Sequence, residues 1–209
     1  MSSSTSTQRL YFLLLSSLAL IQTAFAGDPD ITSDFIIPSN VTQIDGNFFT
    51  FTGMRSLVGA PLPATFKVLK ASMVEFLALN RQSVSYVVLQ FPSGSTNLPH
   101  THPRFAELLL VIDGSLQVGF VNTANKLCIQ TLQTGDMFVF PKELFHFQYN
   151  LDAQNPALAF LAFGSANVGT VSLPNTLFTT GIDDTVLAKS FKTDVATIQA
   201  LKAELASKP

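Results

Sequence analysis

An all-β fold, a closed β-barrel or double-sheet jelly roll followed by a C-terminal helical segment, is predicted by three features of this 209-residue chain. From Phe48 onward the sequence repeats β-prone runs, each about one strand long. Clusters of turn-forming residues separate the runs at regular spacing, as barrels and jelly rolls require. In the tail the apolar residues fall instead at gaps of three and four, the mark of one helix face.

The first element precedes the fold. Residues 10–22, LYFLLLSSLALIQ, are apolar but too short to span a bilayer comfortably, and the small-residue pattern Ala24-Phe25-Ala26 follows. Residues 1–26 are therefore expected to be a secretory signal peptide. The remainder has the length of one domain with a sizeable core, and nothing else in it looks membrane-spanning. Residues 27–47, rich in Asp, Pro, Asn and Ser, are expected to form an extended arm. The arm carries Asn40-Val41-Thr42, which makes Asn40 a glycosylation site in a secreted chain.

Residues 48–180 are assigned to the barrel. Its runs are ATFKVLKA, SVSYVVLQF, FAELLLVI, SLQVGFV, KLCIQTL, DMFVF, LFHFQYN and ALAFLAF. Cys128, the single cysteine, has no partner within the chain, so no internal disulfide holds this fold. It is expected to be a small buried hydrophobe. Residues 181–209 are assigned to helices, with Leu187, Phe191, Val195, Ile198, Leu201 and Leu205 along one face. Asp183 or Asp184 could cap a first helix, and Thr193 or Asp194 a second. Such a stripe must be covered, by the barrel or by a neighbouring subunit, and 19 phenylalanines with few charges also suit burial between copies. A net charge of −2 with no basic block argues against nucleic acid as a partner.

The chemistry concentrates around the three histidines. His100 and His102 have the period of two that puts both side chains on one face of an extended segment, stiffened by Pro99 and Pro103. Glu107 opens the next β-prone run, and His146 lies on a later one. Three imidazoles and a carboxylate suit a first-row metal: imidazole favours zinc, copper, iron or nickel, while the carboxylate and open water positions admit manganese. A redox-active ion there could do one-electron or O₂ chemistry, and an inert one could act as a Lewis acid. A His-x-His pair alone is weak evidence of a metal. The surrounding pattern is stronger.

Gly94-x5-His100-x-His102-x4-Glu107-x6-Gly114 resembles the first motif of the cupin superfamily, and Gly135-x5-Pro141-x4-His146-x3-Asn150 resembles the second. HTHPR, GDMFVFPK, HFQYN and GSANVG are similar to one branch, the germins and germin-like proteins of plants. The resemblance implies a jelly-roll barrel whose metal ligands are His100, His102, Glu107 and His146. Manganese is the implied cofactor, with Fe²⁺ and Zn²⁺ as alternatives. It also implies homo-oligomers, up to a hexamer built as a trimer of dimers, in the extracellular space, apoplast or cell wall.

The implied activity is that of an oxidoreductase, a superoxide dismutase or related oxidase acting on superoxide or a small-molecule substrate. The alternatives are an enzyme for a larger plant metabolite and a non-catalytic, wall-associated binding protein. In oxalate-oxidising germins two asparagines are implied to hold the dianion. Asn97 matches one, and a gap-free alignment puts Val87 at the other, which makes oxalate oxidase the less favoured activity. Three further departures stand out. The N-terminal cysteine pair of germins is missing, Glu143 replaces a glycine in the second motif, and Phe105 and Phe145 bring bulk that could reshape the pocket or fill the core.

Overall fold

The protein is described from a computed structural model covering Tyr11 and residues 27–206. Apart from Tyr11, the expected signal peptide lies outside the described residues. Ten strands are present among them: β1 Lys67–Ala71, β2 Ser85–Phe91, β3 Thr96–Thr101, β4 Glu107–Asp113, β5 Ser115–Val121, β6 Leu127–Gln133, β7 Met137–Phe140, β8 His146–Tyr149, β9 Ala157–Phe163 and β10 Val171–Ser172. They form two five-stranded sheets, β1-β2-β9-β4-β7 and β10-β3-β8-β5-β6. Every pairing is antiparallel. This is the jelly roll, with two strands more than the eight apolar runs indicate. β3 and β10 escape an apolar pattern because β3 is polar and carries Pro99, and β10 is two residues long.

Alternation along the strands builds the core. On β2, Leu89 and Phe91 point inward while Tyr86 is exposed; on β4, Leu109 and Val111 are inward and Leu108 is exposed. Each such fully buried Leu or Phe contributes about 1.5–3 kcal/mol relative to exposure. The chain passes from one sheet to the other at Gly114. Its φ of 77° lies in the left-handed region, and a Cβ there would sit 2.5 Å from the Pro156 carbonyl oxygen. Only glycine fits that crossing.

Cys128 departs from expectation. It is half-buried rather than buried. It lies on the same side of β6 as the buried Leu132, and both line a groove that also includes Phe120 and Phe138.

The arm is largely irregular, and Asp28 fastens its start. The Asp28 carboxylate accepts hydrogen bonds from the Ser83 and Ala166 backbone N–H groups at 2.9 and 2.8 Å, and from the Ser165 hydroxyl at 2.7 Å. Asn40 is exposed, in a turn of the same arm.

Three helices follow β10: α1 Leu173–Phe178, α2 Asp184–Phe191 and α3 Val195–Ala206. Asp183 caps α2 by accepting from Thr185 and Val186 N–H, and Asp194 accepts from the Thr197 N–H at the start of α3. Lys192, at φ 53°, turns the chain between them. Leu187 and Ile198 are buried in a small core with Leu177 and Phe178, whereas Phe191, Val195 and Leu201 remain exposed. No helix among the described residues is long and apolar enough to cross a membrane.

Candidate metal centre

The two sheets contribute different ligands. His100 and His146 are register partners across β3 and β8, so the same ladder fixes both. His102 follows β3 directly. Glu107 is the first residue of β4, in the opposite sheet, and reaches across the sandwich. The ligand atoms of His100, His102, Glu107 and His146 all lie within 4.8 Å of one another. The four side chains are buried, with 1–6% of each residue exposed.

Each imidazole is held by its other nitrogen. Nδ1 of His100 lies 2.7 Å from the Leu98 carbonyl oxygen, Nδ1 of His102 2.6 Å from that of Gly169, and Nδ1 of His146 2.8 Å from that of Leu144. A carbonyl oxygen only accepts, so each Nδ1 carries a hydrogen, and in the metal-binding form, with no second ring proton, each ring aims an Nε2 lone pair inward. His102 Nε2 is 3.0 Å from Glu107 Oε2, and His146 Nε2 is 3.3 Å from the same oxygen. Lone pairs that close to a carboxylate oxygen repel unless a metal ion, or in its absence a proton on Nε2, stands between them. The donor set thus fits a divalent ion, with hydrogen-bonded rings of the kind that orient metal-binding histidines.

Protonation agrees with this. Burial, and next the charge of His146, push His100 down to about 4, so its ring is neutral near pH 7. For Glu107, burial alone would raise the pKa. In the metal-free site, His102 and His146 donate to it when a proton on Nε2 takes the place of a metal ion, and these hydrogen bonds outweigh burial and hold the carboxyl below its ordinary range. Both shifts have one consequence for the metal-free protein. Below pH 6.5 an unfolded His100 takes up a proton that the folded site refuses down to about pH 4. Stability therefore falls as pH falls through that window, and the depressed Glu107 adds loss of the same sign at lower pH. Urea unfolding of metal-free protein should show about 2–3 kcal/mol less stability at pH 4.5 than at pH 7. Equal or greater stability at pH 4.5 would contradict the buried, neutral histidine.

The site opens on a cavity of about 390 Å³. His100 and His102 form its floor, and Val87, Leu89, Leu161 and Phe163 supply an apolar wall. Asn97 is half-buried and lines the same cavity. Val87 also faces it, because β2 pairs with β1 and β9 in unbroken register from Ser85 to Phe91.

The other singled-out residues lie elsewhere. Glu143 has the left-handed φ of 69°, which glycine would adopt at less cost. Its side chain is 64% exposed beside Lys142, while its backbone N–H donates to the His102 carbonyl. Phe105 packs on the hydrophobic core, and Phe145 is exposed. Neither lines the cavity, so neither reshapes it.

One polar residue of the site was not singled out from sequence. Gln148 is completely buried and donates from Nε2 to Glu107 Oε1 at 2.9 Å. Its position two residues after His146, on the same face of β8, is the signal that could have found it.

Comparison with known proteins supports this geometry. The cupin family model matches residues 64–199. Germin-like protein 9-3 of Oryza sativa subsp. japonica is 58% identical over 204 residues, covering 92% of this chain and 95% of the relative. Germin-like protein 9-1 of the same organism is 51% identical over 210 residues, covering 99% and 84%. A structure of oxalate oxidase in complex with the substrate analogue glycolate superposes with a TM-score of 0.76 at 28% identity, covering 87% of this chain and 100% of that one. With its paired motifs, jelly roll and three-histidine, one-glutamate centre, the chain belongs to the cupin family and, within it, to the germin-like proteins.

Proposed function

We propose that this protein is a secreted, manganese-dependent oxidoreductase, of superoxide dismutase or related oxidase type. The convergence of three Nε2 lone pairs and one carboxylate oxygen beneath an open cavity carries the proposal. His100, His102, Glu107 and His146 would hold the ion, which supplies one-electron chemistry when bound. Three neutral imidazoles and one carboxylate leave about one net positive charge around a divalent ion, which attracts small anions. Deep burial of the ligands keeps that charge poorly screened. The kinship with oxalate oxidase supports an oxidase-type chemistry, and the sequence of residues 1–26 supports secretion.

The cavity favours a second reading. A volume of about 390 Å³ with an apolar wall far exceeds what superoxide needs. It fits an organic substrate with an apolar body and a polar end directed at the ion.

Purified protein loaded with manganese, iron or zinc should be assayed for superoxide consumption before and after chelation. The expected result is activity with manganese that disappears on chelation and returns on reloading. Fully loaded protein with no activity above the free ion would refute dismutation and leave the organic substrate as the reading to pursue.

A further inference from the structure

The two oxygens of the Glu107 carboxylate have different surroundings. Oε2 faces His102 and His146. Oε1 accepts from Gln148 Nε2 at 2.9 Å, and Gln148 Oε1 in turn accepts from Asn97 Nδ2 at 2.8 Å. The direction of this relay is fixed by chemistry. An ionised carboxylate only accepts, so Gln148 must turn its nitrogen to Glu107 and its oxygen to Asn97. The backbone holds the pair in place, because Asn97 and Gln148 are register partners across β3 and β8. Gln148 is buried with 0% exposure, so no water competes for its amide.

We infer that Gln148 is a positioning residue for the metal and that Asn97 sets the direction of its amide, so that together they hold Glu107 as a one-oxygen ligand. This inference rests on the metal reading given above. A carboxylate whose second oxygen is already engaged does not swing to grip the ion with both. Held that way, Glu107 would leave room at a bound ion for a small ligand from the cavity that His100 and His102 line. Asn97 lines that cavity, so the relay runs from the cavity wall to the ligand without touching the ion.

The test uses manganese(II) added to the metal-free full-length protein, with affinity measured by chelator competition. Electron paramagnetic resonance of the bound ion reports its ligand symmetry. Gln148→Met keeps the side-chain length and removes both hydrogen bonds. Affinity should fall roughly 10–100-fold, and the zero-field splitting should change as Glu107 rotates. Asn97→Asp places an acceptor where a donor stood, so the Gln148 amide must turn over and present its oxygen to Glu107. Charge alone predicts that an added carboxylate tightens cation binding. The relay predicts a loss of about tenfold or more, greater than for Asn97→Ala.

Unchanged affinity and spectrum in Gln148→Met, or tighter binding in Asn97→Asp, would overturn the relay. If Gln148→Met does not fold, the substitutions at the half-buried Asn97 decide it. Wild-type protein that binds no manganese would remove the metal reading and the relay with it; wild-type binding with indifferent variants removes the relay alone.

Discussion

His102→Ala is expected to leave the protein folded and nearly free of metal. The substitution deletes one of four converging ligands and leaves Glu107 Oε2 without the Nε2 that stands 3.0 Å away. It also deletes the anchor between Nδ1 and the Gly169 carbonyl. Loss of a hydrogen-bond partner behind a ligand typically costs 10–100-fold in metal affinity, so loss of the ligand itself should cost at least about 100-fold. The fold should survive. The removed ring touches the core at Phe163, with centroids 4.9 Å apart, and the sandwich core of Leu89, Phe91, Leu109 and Phe140 remains.

Elemental analysis should find about one metal per wild-type chain and less than about a tenth of that in the variant. A chelator should lower the wild-type melting temperature by mass action, since free metal at a hundred times its dissociation constant contributes about 2.7 kcal/mol. The variant should not respond to the chelator. Full metal content in His102→Ala would show that these residues do not hold the ion.

Spacing made part of the site legible: His100 and His102 share a face by the period of two. That Glu107 and His146 complete the set was implied by the resemblance of the surrounding residues to the two cupin motifs. Asn97 was legible only by resemblance. It lies three residues before His100, and strict alternation would point it to the opposite face. The structure resolves the conflict with a register shift between Asn97 and His100, at Leu98 and Pro99, which restores the phase. Pro99 lacks the N–H that an uninterrupted ladder would need, so the irregularity falls where it costs least. Gln148 was illegible for a different reason. A buried glutamine inside an apolar-looking run announces no chemistry until the carboxylate above it is located in three dimensions.

The fold divides along the same line. Strands with an apolar alternation, such as β2, β4 and β9, could be read directly, because burial on one face dictates their composition. β3 exists through its partners β8 and β10, and a polar stretch carries no local sign of such pairing. α1, LPNTLF, is too short for a helical period to show, although Pro174 sits in its first turn. The tail helices were readable from their stripe and caps, but not which half of the stripe would be covered. Leu187 and Ile198 meet within the chain, whereas Phe191 and Leu201 face outward. The Asp28 anchor needed the fold as well, since its partners lie 55 and more residues away.

Oxalate should be a poor substrate for this protein, and Val87→Asn should improve it. The resemblance to oxalate-oxidising germins implies two asparagines that hold the dianion, of which this chain has Asn97 and, at the other position, Val87. That assignment requires Val87 to face the cavity, and it does: the register through Lys70↔Val87 and Val87↔Leu161 is unbroken, and Val87 lines the wall. Valine cannot donate a hydrogen bond. An oxalate oxygen turned to that wall would be buried without a partner, at a cost of about 1–3 kcal/mol. Felt in the transition state, this is a loss of roughly ten- to a hundredfold. The second asparagine is also committed, because Asn97 already donates to Gln148 and has one amide hydrogen left for a ligand. Manganese-loaded protein should therefore release little hydrogen peroxide from oxalate, and Val87→Asn should raise the rate about tenfold or more. Val87 is half-buried and lines the cavity, so an asparagine amide there is not sealed in the apolar core, and loss of fold is not expected to mask the gain. Robust turnover by the unmodified protein, unaffected by Val87→Asn, would show that the apolar wall does not exclude the dianion and would make oxalate oxidase the leading function.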